Sequence, residues 1–108
     1  MNTRVESSRL KRYEGLRLAY HLQLQQVGTR VTGTGYKLSE NDQAVRTQTP
    51  IALQGQVEGD RVVMTFREVG TRRASIGKLV LDRESDHVMR GRFSSDAAQS
   101  QGVVEAHR

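Results

Sequence analysis

From Gly15 onward, apolar and polar side chains alternate with a period of two. The run Gly15-Leu-Arg-Leu-Ala-Tyr-His-Leu-Gln-Leu-Gln-Gln sets Leu16, Leu18, Tyr20, Leu22 and Leu24 on one face. Arg17, Ala19, His21, Gln23 and Gln25 fall on the other. Alternation over that length predicts a strand in a sheet with one dry and one wet side. Six further runs follow: Arg30–Leu38, Pro50–Val57, Arg61–Glu68, about Arg73–Leu81, His87–Ser94 and Gln101–His107. Their dry faces carry Ile51, Leu53, Gly55 and Val57, then Val62, Met64 and Phe66, then Met89, Gly91 and Phe93. Turns are marked at Val27-Gly28-Thr29, Glu58-Gly59-Asp60, Val69-Gly70-Thr71 and the charged stretch Asp82–Asp86, with a long polar loop over Ser39–Thr49 and a short one over Ser95–Ser100.

No helical pattern separates these strands, so each pairs with the next. A meander of this kind must hide its two outer edges, and curling shut is the simplest way. The prediction is an all-β antiparallel up-and-down barrel of seven or eight strands occupying residues 14–108 as a single domain. Residues 1–13 read as a basic polar segment ahead of the barrel, with loose helical spacing of Val5, Leu10 and the arginines. An eighth strand is sought in Lys11–Gly15 or in the Ser39–Thr49 loop.

The chain of 108 residues supports one domain with a modest core. Its 35% apolar content suits a barrel, in which half of every strand meets water. The ten glycines and single proline fit turns and closely packed strands. The net charge is +5, and five of the 17 basic residues (Arg4, Arg9, Lys11, Arg12, Arg17) lie in the first 17 positions. This leader is read as a solvated tail rather than a phosphate- or membrane-contacting arm. Without cysteine there is no disulfide or thiolate chemistry, which is compatible with a cytoplasmic location. No stretch is apolar enough to predict a membrane segment or a signal-peptide core.

The stretch Val31-Thr-Gly-Thr-Gly35, a polar loop, and then Ile51-Ala-Leu-Gln-Gly-Gln-Val-Glu-Gly-Asp-Arg-Val-Val-Met-Thr-Phe66 resembles the middle of an avidin-type barrel. Gly77-Lys-Leu-Val-Leu-Asp82 and Met89-Arg-Gly-Arg-Phe93 repeat the same order of glycine-bearing strand and turn. The resemblance covers most of Gly15–Arg108 and implies an avidin- or lipocalin-like (calycin-type) barrel with a ligand at its open end. The family's ligand residues are not matched: there is no tryptophan, Gly35 stands where a tyrosine follows Thr-Gly-Thr, and Tyr36 falls one residue late, on the opposite face. The lipocalin Gly-x-Trp is also absent, since Gly15 precedes Leu16 and Arg17. In size, strand order and basic leader the chain is more distantly similar to the β-barrel receptor domains of bacterial antiphage effectors. That likeness implies a cyclic dinucleotide as ligand.

For chemistry, the residues offer a binding surface more readily than a catalytic one. Tyr20, Met64, Phe66, Met89 and Phe93 point to the interior, either as plain core or as the wall of a pocket at one mouth. Arg17, Arg67, Arg90 and Arg92 share the wet side. They are read as a solvated surface with Glu68 and Glu105 as partners, or alternatively as a phosphate-binding stripe. Pairing of the first and last strands would bring His21 near Glu105 and His107, but the spacing matches no metal motif and no metal ligand is assigned. No serine has a nucleophile setting, and Gly33-x-Gly35 lacks a third glycine and a helix. The expectation is therefore a non-catalytic binding or sensing module for an unidentified small molecule, without cofactor. A receptor for a phosphorylated ligand and a homo-oligomerising interaction barrel are the alternatives. With its aromatics on the dry face, base stacking of the kind barrel-type nucleic-acid readers use is not expected, and no double-stranded nucleic acid is expected as a partner.

Overall fold

The computed structural model describes residues 1–46, 49–70 and 73–107. Nine strands follow one another: β1 (Asn2–Ser7), β2 (Arg17–Val27), β3 (Arg30–Glu40), β4 (Gln43–Ala44), β5 (Pro50–Glu58), β6 (Arg61–Val69), β7 (Ala74–Arg83), β8 (Val88–Ser95) and β9 (Ser100–His107). All pairings are antiparallel, in the order β2-β1-β9-β8-β7-β6-β5-β3, and a β2–β3 ladder joins the two ends. Eight strands thus close a barrel, as the alternation predicted. The two-residue β4 folds back onto β3 through Asn41-Asp42. Both turn residues take left-handed φ values (49° and 68°), the backbone that a two-residue hairpin loop demands. Gly28 (φ 61°) and Gly59 (φ 64°) supply the same freedom in the tight hairpins at the opposite end. Of the predicted Val69-Gly70-Thr71 turn, Thr71 lies outside the described residues, as do Thr47 and Gln48 of the long loop.

The N-terminus departs from the sequence reading. Residues 1–13 are not a segment outside the barrel, and Asn2–Ser7 is not helical: it is the eighth strand, inserted between β2 and β9. Thr3 and Val5 point inward and are buried, while Arg4 and Glu6 face out. Neither predicted source of the eighth strand supplies it. Lys11–Tyr13 forms a single 3-10 turn; of the long loop, Ser39 and Glu40 extend β3 and the two residues Gln43–Ala44 fold back onto them. Because β1 intervenes, the expected juxtaposition of His21 with Glu105 and His107 does not form. Instead His21 lies against Tyr36 on the outer wall, with ring centroids 5.4 Å apart.

The lumen is filled by the predicted dry faces. Tyr20, Val31, Ile51, Leu53, Met64, Phe66, Leu79, Leu81 and Val104 form one buried cluster, with Leu18, Leu22, Met89 and Phe93 packed against it. Leu79 and Met64, the largest fully buried side chains, each contribute about 1.5–3 kcal/mol of transfer free energy. Space for them comes from glycine. Across the ladders Leu24 faces Gly33, Leu22 faces Gly35, Met64 faces Gly55, Phe66 faces Gly77, Leu81 faces Gly91 and Phe93 faces Gly102. A Cβ on Gly77 would lie 2.4 Å from Phe66 Cζ, and one on Gly91 would lie 1.7 Å from the Val80 carbonyl oxygen. Gly91→Ala is therefore expected to lower unfolding free energy by about 1–3 kcal/mol in urea titrations, through overpacking against backbone.

Thr3 gives a second, opposite expectation. Among the described residues its Oγ1 is the one buried side-chain polar atom with no hydrogen-bond partner. Thr3→Val keeps the shape and removes that unsatisfied group, so stability should rise by about 1 kcal/mol. A loss of similar size in the same titration would show that the hydroxyl is bonded and that the interior face of β1 is misassigned.

Candidate functional site

The barrel's two ends differ. One carries the tight hairpins; the other carries the Asn41–Thr49 loop, Gly70, the two 3-10 turns and the β4 flap. At this second end lies a depression of about 690 Å³, lined among others by Leu16, Lys37, Glu40, Arg46, Glu68 and Arg73. Strand geometry explains its floor. The inward parity of β6 runs Val62, Met64, Phe66, Glu68, and that of β3 runs Val31, Gly33, Gly35, Lys37, so each ends in a charged side chain facing the mouth. A bulge then intervenes. Tyr20 pairs with Lys37 but Ala19 pairs with Ser39, leaving Leu38 as the extra residue. The shift returns Glu40 to the side of Lys37, three residues away, where simple alternation would oppose them.

These residues form a continuous polar network. Tyr20, whose ring is buried in the core, donates its phenol hydrogen to the Glu68 carboxylate (3.1 Å to Oε2, 3.2 Å to Oε1). Lys37 Nζ donates to Glu68 Oε1 at 2.9 Å and to Glu40 Oε1 at 3.1 Å. Both Lys37 and Glu68 side chains are only 13% exposed. The Lys37 backbone N–H donates to the Thr49 carbonyl at 3.0 Å, fastening the long loop to the same strand. Burial, then the charge and hydrogen bond of Glu68 and the charge of Glu40, push the Tyr20 phenol far above its ordinary range. For Lys37 burial opposes the charged form, but hydrogen bonds and charges from Glu68 and Glu40 outweigh it and raise its pKa. Two carboxylates thus flank one ammonium, and Arg46 and Arg73 add cationic groups to the exposed rim.

Of the five interior candidates, Tyr20, Met64 and Phe66 are buried in the core cluster and Met89 and Phe93 pack on it. Tyr20 alone reaches the mouth network. Lys37, Glu40 and Glu68 were not anticipated as site residues, and Glu68 is not a surface partner of the arginines. It points inward.

The arginines do not make one stripe. Arg17 and Arg90 line a second depression, about 530 Å³, on the outer wall over β1, together with Arg4, Asp42 and Glu105. Arg92 follows on β8, and Arg67 stands apart on β6, beyond β7. Carboxylates occupy the guanidinium groups: Arg17 with Asp42 at 2.7 Å, Arg90 with Glu84 at 2.8 Å and Glu105 at 2.9 Å, Arg92 with Glu6 at 2.8 Å. Hydrogen bonds from His107 and Arg90 hold the Glu105 carboxyl below its usual range. An incoming anion has to displace these partners.

Compared with known proteins, the chain matches no protein-family model, no curated protein and no solved structure. The closed eight-stranded barrel is compatible with a small calycin-like fold. No helix among the described residues is long and apolar enough to cross a membrane.

The mouth network has a pH signature. Tyr20 and Lys37 both have folded-state pKa values raised above their unfolded ones. Their stabilisation is therefore complete below the unfolded value of about 10 and is lost as pH climbs through the folded values. Thermal midpoints should stay level through neutral pH and fall above about pH 10, and Tyr20→Phe should flatten that alkaline fall. An unchanged alkaline slope in Tyr20→Phe would remove the phenol from the account.

Proposed function

We propose that this chain is a non-catalytic binding module that takes a small anionic molecule at the loop-bearing mouth of its barrel. The observation that supports this reading is the network at the mouth floor that runs from buried Tyr20 through the largely enclosed Glu68 and Lys37 to the exposed Glu40. A barrel with a purely structural role can plug that position with hydrocarbon, at no cost in desolvated charge. Here charged groups are kept in place beneath a depression whose rim carries Arg46 and Arg73. The rim guanidinium groups suit a carboxylate or phosphate, and the floor offers both acceptors and a donor to orient the rest of the molecule. A phosphorylated ligand, a cyclic dinucleotide included, belongs to the same chemical class, and the mouth would hold it with Arg46 and Arg73 rather than with the paired arginines of the outer wall.

Thermal-shift measurements on the full chain test this with carboxylates, nucleotides and cyclic dinucleotides. A ligand present at a hundred times its dissociation constant adds about 2.7 kcal/mol to the folded state. The expected result is a raised midpoint with at least one anionic class, abolished in Arg73→Ala and Arg46→Ala and retained in Arg17→Ala and Arg90→Ala. The reverse pattern would move the site to the outer depression. No shift with any anion would overturn the reading.

A further inference from the structure

The mouth network holds more negative charge than its enclosed members need. Glu68 is fully engaged: its Oε1 accepts from Lys37 Nζ at 2.9 Å and from the Tyr20 hydroxyl at 3.2 Å, and its Oε2 accepts from the same hydroxyl at 3.1 Å. That carboxylate already balances the Lys37 ammonium. Glu40 is a second one, accepting from Lys37 Nζ through Oε1 at 3.1 Å, with half of its side chain exposed. A further carboxylate beside Glu68 adds repulsion between like charges and leaves Lys37, Glu40 and Glu68 with a surplus negative charge. The more exposed of the two carboxylates, Glu40, carries that surplus on the wall of the depression.

Simple alternation does not bring Glu40 there. The Leu38 bulge does, and bulges commonly re-aim a side chain beside a functional site. The Asn41-Asp42 turn and the return of β4 then fasten that end of β3, with Gln43 paired to Glu40. The cations of the depression come from other segments, Arg46 from the loop after β4 and Arg73 from the residue before β7. Both are exposed, and Arg73 donates to a backbone oxygen, the Asp96 carbonyl at 3.4 Å, rather than to a carboxylate. The same depression thus offers an acceptor for a cation and donors for an anion. A purely anionic ligand suits the arginines but meets Glu40 with like charge.

We infer that the molecule taken at this mouth is a zwitterion, carrying a protonated amine beside its carboxylate or phosphate, with the amine held by Glu40 and the anion by Arg46 and Arg73. The inference deepens the anion reading of the mouth and rests on it. The amine completes Glu40 with a charge-assisted hydrogen bond, about twice as strong as one between neutral groups.

Isothermal titration calorimetry on the full chain tests this with two pairs that differ in the amine alone: L-glutamate against glutarate, and O-phosphoethanolamine against ethyl phosphate. In at least one pair the amine-bearing member should bind about tenfold or more tighter, the worth of one hydrogen bond between charged groups. The pair that responds tells a carboxylate ligand from a phosphate one. Glu40→Gln should weaken the amine-bearing member about tenfold and tighten the amine-free one, which no longer meets a carboxylate. Arg73→Ala should weaken both, and circular dichroism verifies that each variant keeps the barrel. Amine-free members that bind as tightly as their partners would overturn the zwitterion and leave the anion reading standing. An amine preference that survives Glu40→Gln would overturn it too, by moving the amine away from that carboxylate. Silence from all four compounds, with nucleotides or cyclic dinucleotides still raising the thermal midpoint, would overturn the zwitterion alone; silence from every anion would remove both readings.

Discussion

The volume of the lumen is the constraint on which this structure depends. An eight-stranded barrel has a narrow lumen, so where side chains fill it large residues cannot face one another at every level. Here six inward glycines each sit across the ladder from a Leu, Met or Phe. The large side chain covers the glycine, and the neighbouring backbones approach closely. The depression of about 690 Å³ lies at the loop-bearing end.

At that end, Tyr20 joins core and mouth. Its ring belongs to the hydrocarbon cluster and its hydroxyl to the carboxylate of Glu68, so the network is anchored to the buried core. Lys37 extends the anchor in two directions, through its side chain to Glu40 and through its backbone to Thr49. Asn41 adds a further tie: its N–H donates to the Arg17 carbonyl at 2.7 Å, and its Oδ1 accepts from the Arg17 N–H at 2.9 Å. These bonds tie the floor of the depression to β2, β3 and the loop, and under the proposed reading such preorganisation would reduce the ordering cost of binding. Low local dielectric strengthens such a network while making any broken member costly, so its parts stand or fall together.

Much of this was legible in residues alone. A period of two, sustained from Leu16 to Leu24 and repeated six times, carried both the strands and their inward faces, because burial follows backbone parity. The parity that placed Phe66 inside also places Glu68 inside, and the parity of Gly33 and Gly35 places Lys37 there. The charge of these residues argued for the wet face, and position won over chemistry. Glu40 was not readable by alternation, since the Leu38 bulge reverses the count and nothing in Tyr-Lys-Leu-Ser announces it. Strand β1 was hidden for a different reason. Asn2–Ser7 has one aliphatic side chain between arginine and glutamate, and pairing on both sides makes it a strand where its own composition does not.

That same strand is the seam of the barrel. It buries only Thr3 and Val5, and meets β2 over three residues where β2 meets β3 over ten. The ion pair that crosses the outer wall there, Arg92 of β8 with Glu6, is exposed and contributes about 0–1 kcal/mol. Closure at the seam rests instead on the ladder and on Val5. A short, polar closing strand is enough to complete the ring around the core. The ladder on the other side of β2 carries the difference: β2 has eleven residues to the six of β1, and ten of them pair with β3.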